Sequence, residues 1–380
     1  MTSSLGELSI YIHWPFCKTK CPYCDFNSHE SSKIDYDQWS HAYIKEIDFN
    51  KDLIKGKKIN SIFFGGGTPS LMNPKIVKAI LEKINYLAII SDNTEITLEA
   101  NPNSIDRDKF LDFKSAGINR ISIGIQSLRT KNLKFLGRSH SNQDGLKAIE
   151  LAKNIFNNYS FDLIYCLPNQ SIEEWENELN AAIKYVDYHI SCYQLTIEKG
   201  TQFYNDFKSN VFSMATENTS AQMYEFTCNM LESKGMIQYE ISNFSKPEYK
   251  CKHNMGYWLL KDYIGLGPGA HGRYQFNNEI YSTINYYSPT KWIEYLVIRN
   301  QKPIQSKKKL SNNEQLIDTL NMGLRLNRGL HISKIPNKYP LKQLTKHGLI
   351  KNIKNDYITC TLKGRLLLNT VIGILLNDTY

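Results

Sequence analysis

The chain lacks any run of about 20 apolar residues, the length that a membrane-crossing helix needs. Its greasiest stretch, residues 366–376, is shorter and is interrupted by Asn369 and Thr370. It reads as a buried terminal helix. Residues 1–8 carry no charged segment leading into an apolar one, so no secretory signal is expected. No internal repeat or low-complexity tract interrupts the sequence. Charge of one sign does not dominate: 46 Lys and Arg against 37 Asp and Glu leave +9. These charges show no basic–aromatic clustering, which speaks against a nucleic-acid partner. Hydrophobic residues at 41% and charged residues at 22% exclude an intrinsically disordered chain. With neither leader nor span, the reading is cytoplasmic, where thiols stay reduced. The eight cysteines are then not a disulfide framework. Three of them, Cys17, Cys21 and Cys24, fall within eight positions and are metal or redox ligands first.

The 380 residues set a prior of two to three domains. Residues 8–13 alternate as a strand does, and Tyr36, Trp39, Tyr43 and Ile47 recur at helical spacing. The rhythm repeats. Strands are expected over 59–64, 95–99, 120–126, 161–166 and 189–195. Helices are expected between them, opened by Asn73-Pro74, near Ser104, over 142–156, and by the capping box Ser171-Ile172-Glu173-Glu174. Strands alternating with helices imply parallel βα units, closed as a barrel or open as a doubly wound sheet.

Beyond residue 245 the pattern changes. Residues 250–287 are rich in Gly, Tyr and His and read as loop, and Lys307-Lys308-Lys309 reads as a solvated linker. A helix over 312–326, a hairpin turning at Lys354-Asn355-Asp356 and a last helix resemble a small winged-helix unit. The segmentation expected is 1–240, 241–305 and 306–380. Gly265-Leu266-Gly267-Pro268-Gly269 lacks the G-x-G-x-x-G spacing of a dinucleotide fingerprint.

Cys17-Lys18-Thr19-Lys20-Cys21-Pro22-Tyr23-Cys24 has the spacing C-x3-C-x2-C. Thiolates of this kind hold zinc or iron–sulfur clusters. With His13 and His29 nearby, counting ligands leaves zinc open. Three cysteines on one loop, however, occupy only three corners of a 4Fe–4S cube and leave one iron free. The loop directly follows the first strand, at the end of the sheet where βα folds carry their sites. The next strand ends in Gly65-Gly66-Gly67-Thr68-Pro69, where glycines admit a close ligand.

Together these two segments resemble the radical S-adenosylmethionine (SAM) superfamily. The resemblance implies a fold of class α/β, a partial (β/α)6 barrel with a small C-terminal winged-helix-like unit. It implies a 4Fe–4S cluster on Cys17, Cys21 and Cys24. It also implies a SAM shell that includes Tyr11, Tyr23, Gly66, Gly67, Thr68, Glu99, Gln126, Arg138 and Asp162. Arg138 could pair with a carboxylate in bidentate fashion. The alternative for each shell residue is an ordinary polar residue at the rim of the core.

Tyr11-Ile12-His13-Trp14-Pro15-Phe16-Cys17, Ala100-Asn101-Pro102, Gly124-Ile125-Gln126-Ser127, Asp162-Leu163-Ile164-Tyr165 and His253-Asn254-Met255-Gly256-Tyr257-Trp258 resemble the oxygen-independent coproporphyrinogen III oxidase group. That group's true oxidases carry a further cysteine where this chain has Phe26. Together with the HNxxYW pattern, this resembles the group's heme-chaperone branch instead. The chain departs from that pattern at Trp14, usually aliphatic, and at Cys166, usually glycine. The resemblance implies heme as ligand, a heme-acceptor protein, and an electron donor for the cluster. Peripheral contact with membrane-bound acceptors and a homodimer stay open. His253 is the heme candidate, with Tyr257 and Trp258 as ring partners and Cys251 and His271 close in sequence; the alternative is that His253 and Trp258 only seal the barrel. Competing functions are a radical oxidative decarboxylase of coproporphyrinogen III and, more weakly, a nucleic-acid-modifying protein.

Overall fold

A computed structural model describes residues 6–31, 33–335, 339–353 and 355–377, without the side chains of Tyr339 and Asn377. Residues 1–5, read above for a leader, and Lys354 of the expected turn lie outside the described residues. Six βα units open the chain. Their strands are β1 (Glu7–Trp14), β2 (Lys58–Gly66), β3 (Glu95–Ala100), β4 (Arg120–Gln126), β5 (Tyr159–Tyr165) and β6 (His189–Gln194), each parallel to the next. The helices between them include α1 (Tyr36–Phe49), α2 (Pro74–Leu87), α3 (Arg107–Ala116), α4 (Thr130–Phe135), α5 (Asn142–Ile155) and α6 (Ile172–Ala182). The start signals work as expected. Asn73 caps α2 with proline behind it, and Ser171 and Glu174 form the capping box of α6. Gly117 ends α3 at φ +113. The short α4 was not foreseen.

These strands are two-faced, which is unusual for parallel strands buried on both sides. One face carries Ile10, Ile12, Ile62, Phe64, Ile96, Leu98, Ile121, Ile123, Phe161 and Leu163, all buried with helix residues such as Trp39, Ile80, Phe110 and Ile149 in one apolar core. Fully burying each such side chain stabilises by about 1.5–3 kcal/mol. The other face presents Ser9, Ser61, Thr97, Ser122, Ser160 and Ser191, also buried. It is the lining of the partial barrel.

The segment expected as loop over 250–287 is structured instead. After α7 (Glu217–Ser233), β7 (Ile237–Gln238) and β8 (Asn243–Ser245), α8 (Lys252–Trp258) lies against the polar inner face. The Glu95 carboxylate accepts from the Lys252 and His253 backbone N–H groups at 3.1 and 3.2 Å. Next, β9 (Tyr263–Leu266) pairs parallel to β1, and β10 (His271–Phe276), β11 (Glu279–Asn285) and β12 (Ile304–Lys309) continue antiparallel. The result is a 12-stranded sheet in the order β12-β11-β10-β9-β1-β2-β3-β4-β5-β6-β8-β7. Lys307, Lys308 and Lys309 are not a linker. They form the exposed edge strand β12, where charge discourages further strand pairing.

The C-terminal unit has its own core around Leu320, Ile358, Val371 and Leu375. It comprises α9 (Asn312–Gly323), β13 (Leu330–His331), α10 (Tyr339–Lys346), the hairpin β14 (Ile350–Ile353) and β15 (Tyr357–Cys360), α11 (Leu362–Leu366) and α12 (Leu368–Asn377). The three strands pair antiparallel in the order β13-β15-β14. The greasy stretch is indeed a buried terminal helix, with Val371 and Leu375 fully inside. Among the described residues no helix is long and apolar enough to cross a membrane.

Candidate functional site

At the C-terminal ends of the strands lies a cavity of about 140 Å³. Its walls include Cys17, Cys21, Tyr23, Cys24, Gly66, Gly67, Thr68, Glu99, Gln126, Arg138 and Asp162, so eleven of the residues expected from sequence meet in one place. Tyr11 stands behind Glu99, in two adjoining cavities.

The cysteine loop follows β1 and is held by backbone pairing. Phe16–Cys17 pairs with His29–Glu30, and the Cys24 N–H donates to the Cys21 carbonyl at 3.0 Å. The glycine segment of β2 locks beneath it. The Gly67 N–H reaches the Trp14 carbonyl at 2.7 Å and the Thr68 N–H the Phe16 carbonyl at 2.9 Å. Two glycines are required here. Gly66 has φ +115, and a Cβ on Gly67 would lie 2.8 Å from the Phe16 carbonyl oxygen and 3.1 Å from the Cys17 sulfur. Trp14, the departure from the family pattern, is fully buried and packs edge-on to Phe16 and Trp39. Cys166 sits at φ +60, a left-handed conformation that glycine adopts more readily.

Each sulfur has a polar neighbour. Thr68 Oγ1 donates to Cys17 Sγ at 3.3 Å, Arg138 Nη1 to Cys21 Sγ at 3.4 Å, and Cys24 Sγ lies 3.8 Å from Ser28 Oγ. Burial raises the thiol pKa of Cys17 and Cys24, with the Thr68 and Phe26 contacts opposing it. A metal that bonds thiolates would reverse that penalty. Among the described residues no group of three or more His, Cys, Asp or Glu is gathered as a single ion requires. Three thiols on one loop are the donor set that fills three corners of a 4Fe–4S cube and leaves the fourth open, so the residues present fit such a cluster.

Opposite the thiols the wall is acidic. Burial pushes the Glu99 carboxyl up to about 8, with the nearby Asp162 adding to the shift. Burial likewise pushes Asp162 up to about 6, opposed by its Ser191 hydrogen bond and by Arg120 and Arg138. Such a pair is stabilised by a cationic ligand. The buried Gln126 Oε1 and Arg138 Nε atoms have no hydrogen-bond partner, an open acceptor and an open donor on the same wall. Gln126 itself is held at φ +67. Arg138 is anchored by Nη2 on the Gly124 carbonyl at 2.7 Å. The cavity thus offers thiols, a carboxylate pair, an amide acceptor and a guanidinium, a set that suits a zwitterionic, positively charged ligand beside a cluster.

His253 is elsewhere. It is 1% exposed, its Nδ1 lies 2.9 Å from Ser61 Oγ, and its Nε2 lies 2.8 Å from Tyr257 OH. With both ring nitrogens engaged inside the barrel, it offers no lone pair to an iron without breaking one of these bonds. The Ser61 bond fastens α8 to β2, the sealing role that the sequence also allowed. Cys251 is likewise buried against Glu95, 3.4 Å away. Tyr257 and Trp258 do reach an open space. They line a second cavity of about 560 Å³, beside the thiol-lined pocket, which shares Phe26, Gly66 and Glu99 with it. Sequence reasoning passed over Arg120, Ser122, Arg273, Tyr287 and Met322, which line these cavities. For Arg120 and Ser122 the signal was available: polar residues at every second position of otherwise apolar parallel strands.

Comparison with known proteins agrees with this geometry. Residues 11–182 match the radical SAM superfamily. The chain is 35% identical to the heme chaperone HemW of Buchnera aphidicola subsp. Schizaphis graminum, over 98% of this chain and 99% of that one. It is 33% identical to the heme chaperone HemW of Bacillus subtilis, over 97% and 99%. It is 34% identical to the mitochondrial radical S-adenosyl methionine domain-containing protein 1 of Danio rerio, over 97% and 87%. Among solved structures, the Escherichia coli coproporphyrinogen III oxidase HemN has the same fold, with a TM-score of 0.81 at 20% identity, covering 98% of this chain and 90% of that one.

Proposed function

The chain belongs to the radical SAM superfamily and to the family of the heme chaperones HemW, and from that premise we propose that it binds heme and passes it to an acceptor protein. The observation that supports this most directly is the pairing of a thiol-lined pocket with a larger cavity that shares a wall with it and has six aromatic side chains in its lining. In this reading Cys17, Cys21 and Cys24 hold a 4Fe–4S cluster and the glycine segment admits SAM to the remaining iron. Reduced and bound, that pair would be capable of one-electron cleavage of the SAM sulfonium, a reaction that carrying heme does not itself require.

The residues' own share is binding and exclusion of water. Thr68 and Arg138 donate to two of the sulfurs, which favours the thiolate forms. Glu99 and Asp162 would face the cationic end of SAM, whose charge favours their ionised forms. Gln126 and Arg138 contribute the acceptor and donor left open on that wall. Tyr23 packs against Phe203 and covers the cluster loop from the side.

The second reading, oxidation of coproporphyrinogen III, comes from the sequence motifs; the shared fold with HemN, at 20% identity, speaks for fold alone. Phe26 stands where the oxidases carry a further cysteine, and it is 58% exposed at the lip between the two cavities. An apolar ring there suits contact with a flat hydrophobic ligand. Two assays on the reconstituted chain separate the readings. Hemin titration is expected to give a saturable Soret band. Anaerobic incubation with SAM, reductant and coproporphyrinogen III is expected to give no protoporphyrinogen IX. The opposite pair of results would replace the chaperone with the oxidase.

A further inference from the structure

The 560 Å³ cavity has walls built from Tyr257, Trp258 and Tyr263 on one side and Tyr287, Leu260 and Met322 on others. Met322 comes from α9, so the C-terminal unit helps enclose it. Two of the nine histidines line this space, His13 and His271. His13 is buried, and both its nitrogens are used: Nδ1 with Tyr11 OH at 3.1 Å and Nε2 on the Asn27 carbonyl at 2.8 Å. His271 is exposed to the cavity. Its nearest polar partner is Tyr287 OH at 3.4 Å, longer than a normal hydrogen bond to nitrogen.

His271 also stands on a rigid base. It opens β10, directly after a loop fixed by the buried Glu46. Its carboxyl oxygens accept from the Gly267 N–H at 2.7 Å, Asn285 Nδ2 at 2.6 Å and Trp292 Nε1 at 3.1 Å. Asn27 of the cysteine loop donates to the Pro268 and Tyr287 carbonyls at 3.0 and 2.9 Å, tying the loop to the cluster side. Two residues on, and therefore on the same face of the strand, Arg273 lines the same cavity. Its Nε lies 3.1 Å from Asp318 and its Nη1 3.2 Å from the Leu260 carbonyl, an arrangement that holds the guanidinium in place.

Resting on the heme-chaperone reading, we propose that this cavity is the heme site, that His271 ligates the iron, and that Arg273 receives a propionate. An aromatic slot suits the ring, a loosely held imidazole suits the iron, and a guanidinium suits the carboxylate. Burial lowers the His271 pKa, which keeps the imidazole neutral and its lone pair available near pH 7.

The experiment is hemin titration of the full chain, reconstituted with cluster, as wild type, H271A, H271A with free imidazole, and R273Q. Iron–sulfur absorbance checks that each variant is folded. Wild type is expected to show a saturable Soret band. H271A is expected to bind at least about tenfold more weakly with a shifted Soret maximum, and imidazole to restore the wild-type position. R273Q is expected to weaken binding severalfold without moving the maximum. Wild-type affinity and an unshifted Soret band in H271A would overturn the assignment while leaving the chaperone reading intact. No saturable band in the wild type would overturn both.

Discussion

Replacing Gly67 with alanine tests the cofactor cradle at its tightest point. The new methyl would sit 2.8 Å from the Phe16 carbonyl oxygen, 3.0 Å from its carbon and 3.1 Å from Cys17 Sγ. Ordinary contacts lie near 3.5–4.0 Å, so something must move by roughly half an ångström or more. Neither neighbour yields easily. The Phe16 carbonyl holds the Thr68 N–H, and Cys17 is paired across to Glu30. Overpacking of this kind costs about 1–3 kcal/mol. If the strain falls on the state that holds cluster and SAM, the affinity for SAM drops about 5- to 150-fold. If it falls on the fold as a whole, the melting temperature drops by only about 1–4 °C, because the unfolding entropy of 380 residues is large. Iron and sulfide content after anaerobic reconstitution, calorimetric titration with SAM and a thermal melt read these out. Gly66→Ala is expected to lose stability in addition, because its φ of +115 strains any other residue. Wild-type SAM affinity and full iron content in G67A would refute the argument that close backbone approach builds the cradle.

Three further outcomes follow from the same structure. Replacing Cys17, Cys21 or Cys24 singly by alanine should abolish the broad iron–sulfur absorbance, whereas Cys228→Ala, in the helical layer, should leave it; metal retained in all three would contradict the ligand set. Arg138→Lys keeps the charge but loses the fixed fork on Gly124 and Cys21, so SAM should bind about 10- to 100-fold more weakly, measured calorimetrically. Finally, burial raises the Glu46 pKa from 4.5 to about 8. The folded chain then keeps a proton that the unfolded chain releases. The resulting stability is full below pH 4.5 and is lost as pH rises through 8. Denaturant unfolding should show a decline between pH 6.5 and 8 that shrinks in E46Q, and an unchanged slope in E46Q would assign the titration to another group.

Much of the fold was legible because local signals agreed with it. Asn73-Pro74, the Ser171 capping box and Gly117 mark helix ends by backbone chemistry that tertiary contacts did not override. The loop reading of residues 250–287 failed for a physical reason. Strands β9 to β11 take their order from pairing with β1 and with one another, and α8 takes its place from Glu95, a residue about 160 positions earlier. Composition rich in Gly and Tyr cannot report such distant partners. The cysteine loop and the glycine segment were legible because each is local, and so was Glu99, near the end of a recognisable strand, whereas Asp162 sits at the middle of its strand on the polar inner face. The role of His253 was not legible in the same way. A histidine in a motif says nothing about which nitrogens its own fold consumes, and here Ser61 and Tyr257 consume both.

The claim that this chain carries heme is tested most directly by transfer. The chain is reconstituted with cluster and SAM, loaded with one equivalent of hemin and mixed with apomyoglobin, and the Soret band is followed while SAM is quantified. The account predicts that the band moves fully to that of holomyoglobin and that SAM is not consumed. Heme that stays on the chain, or that leaves only as SAM is cleaved, would contradict it.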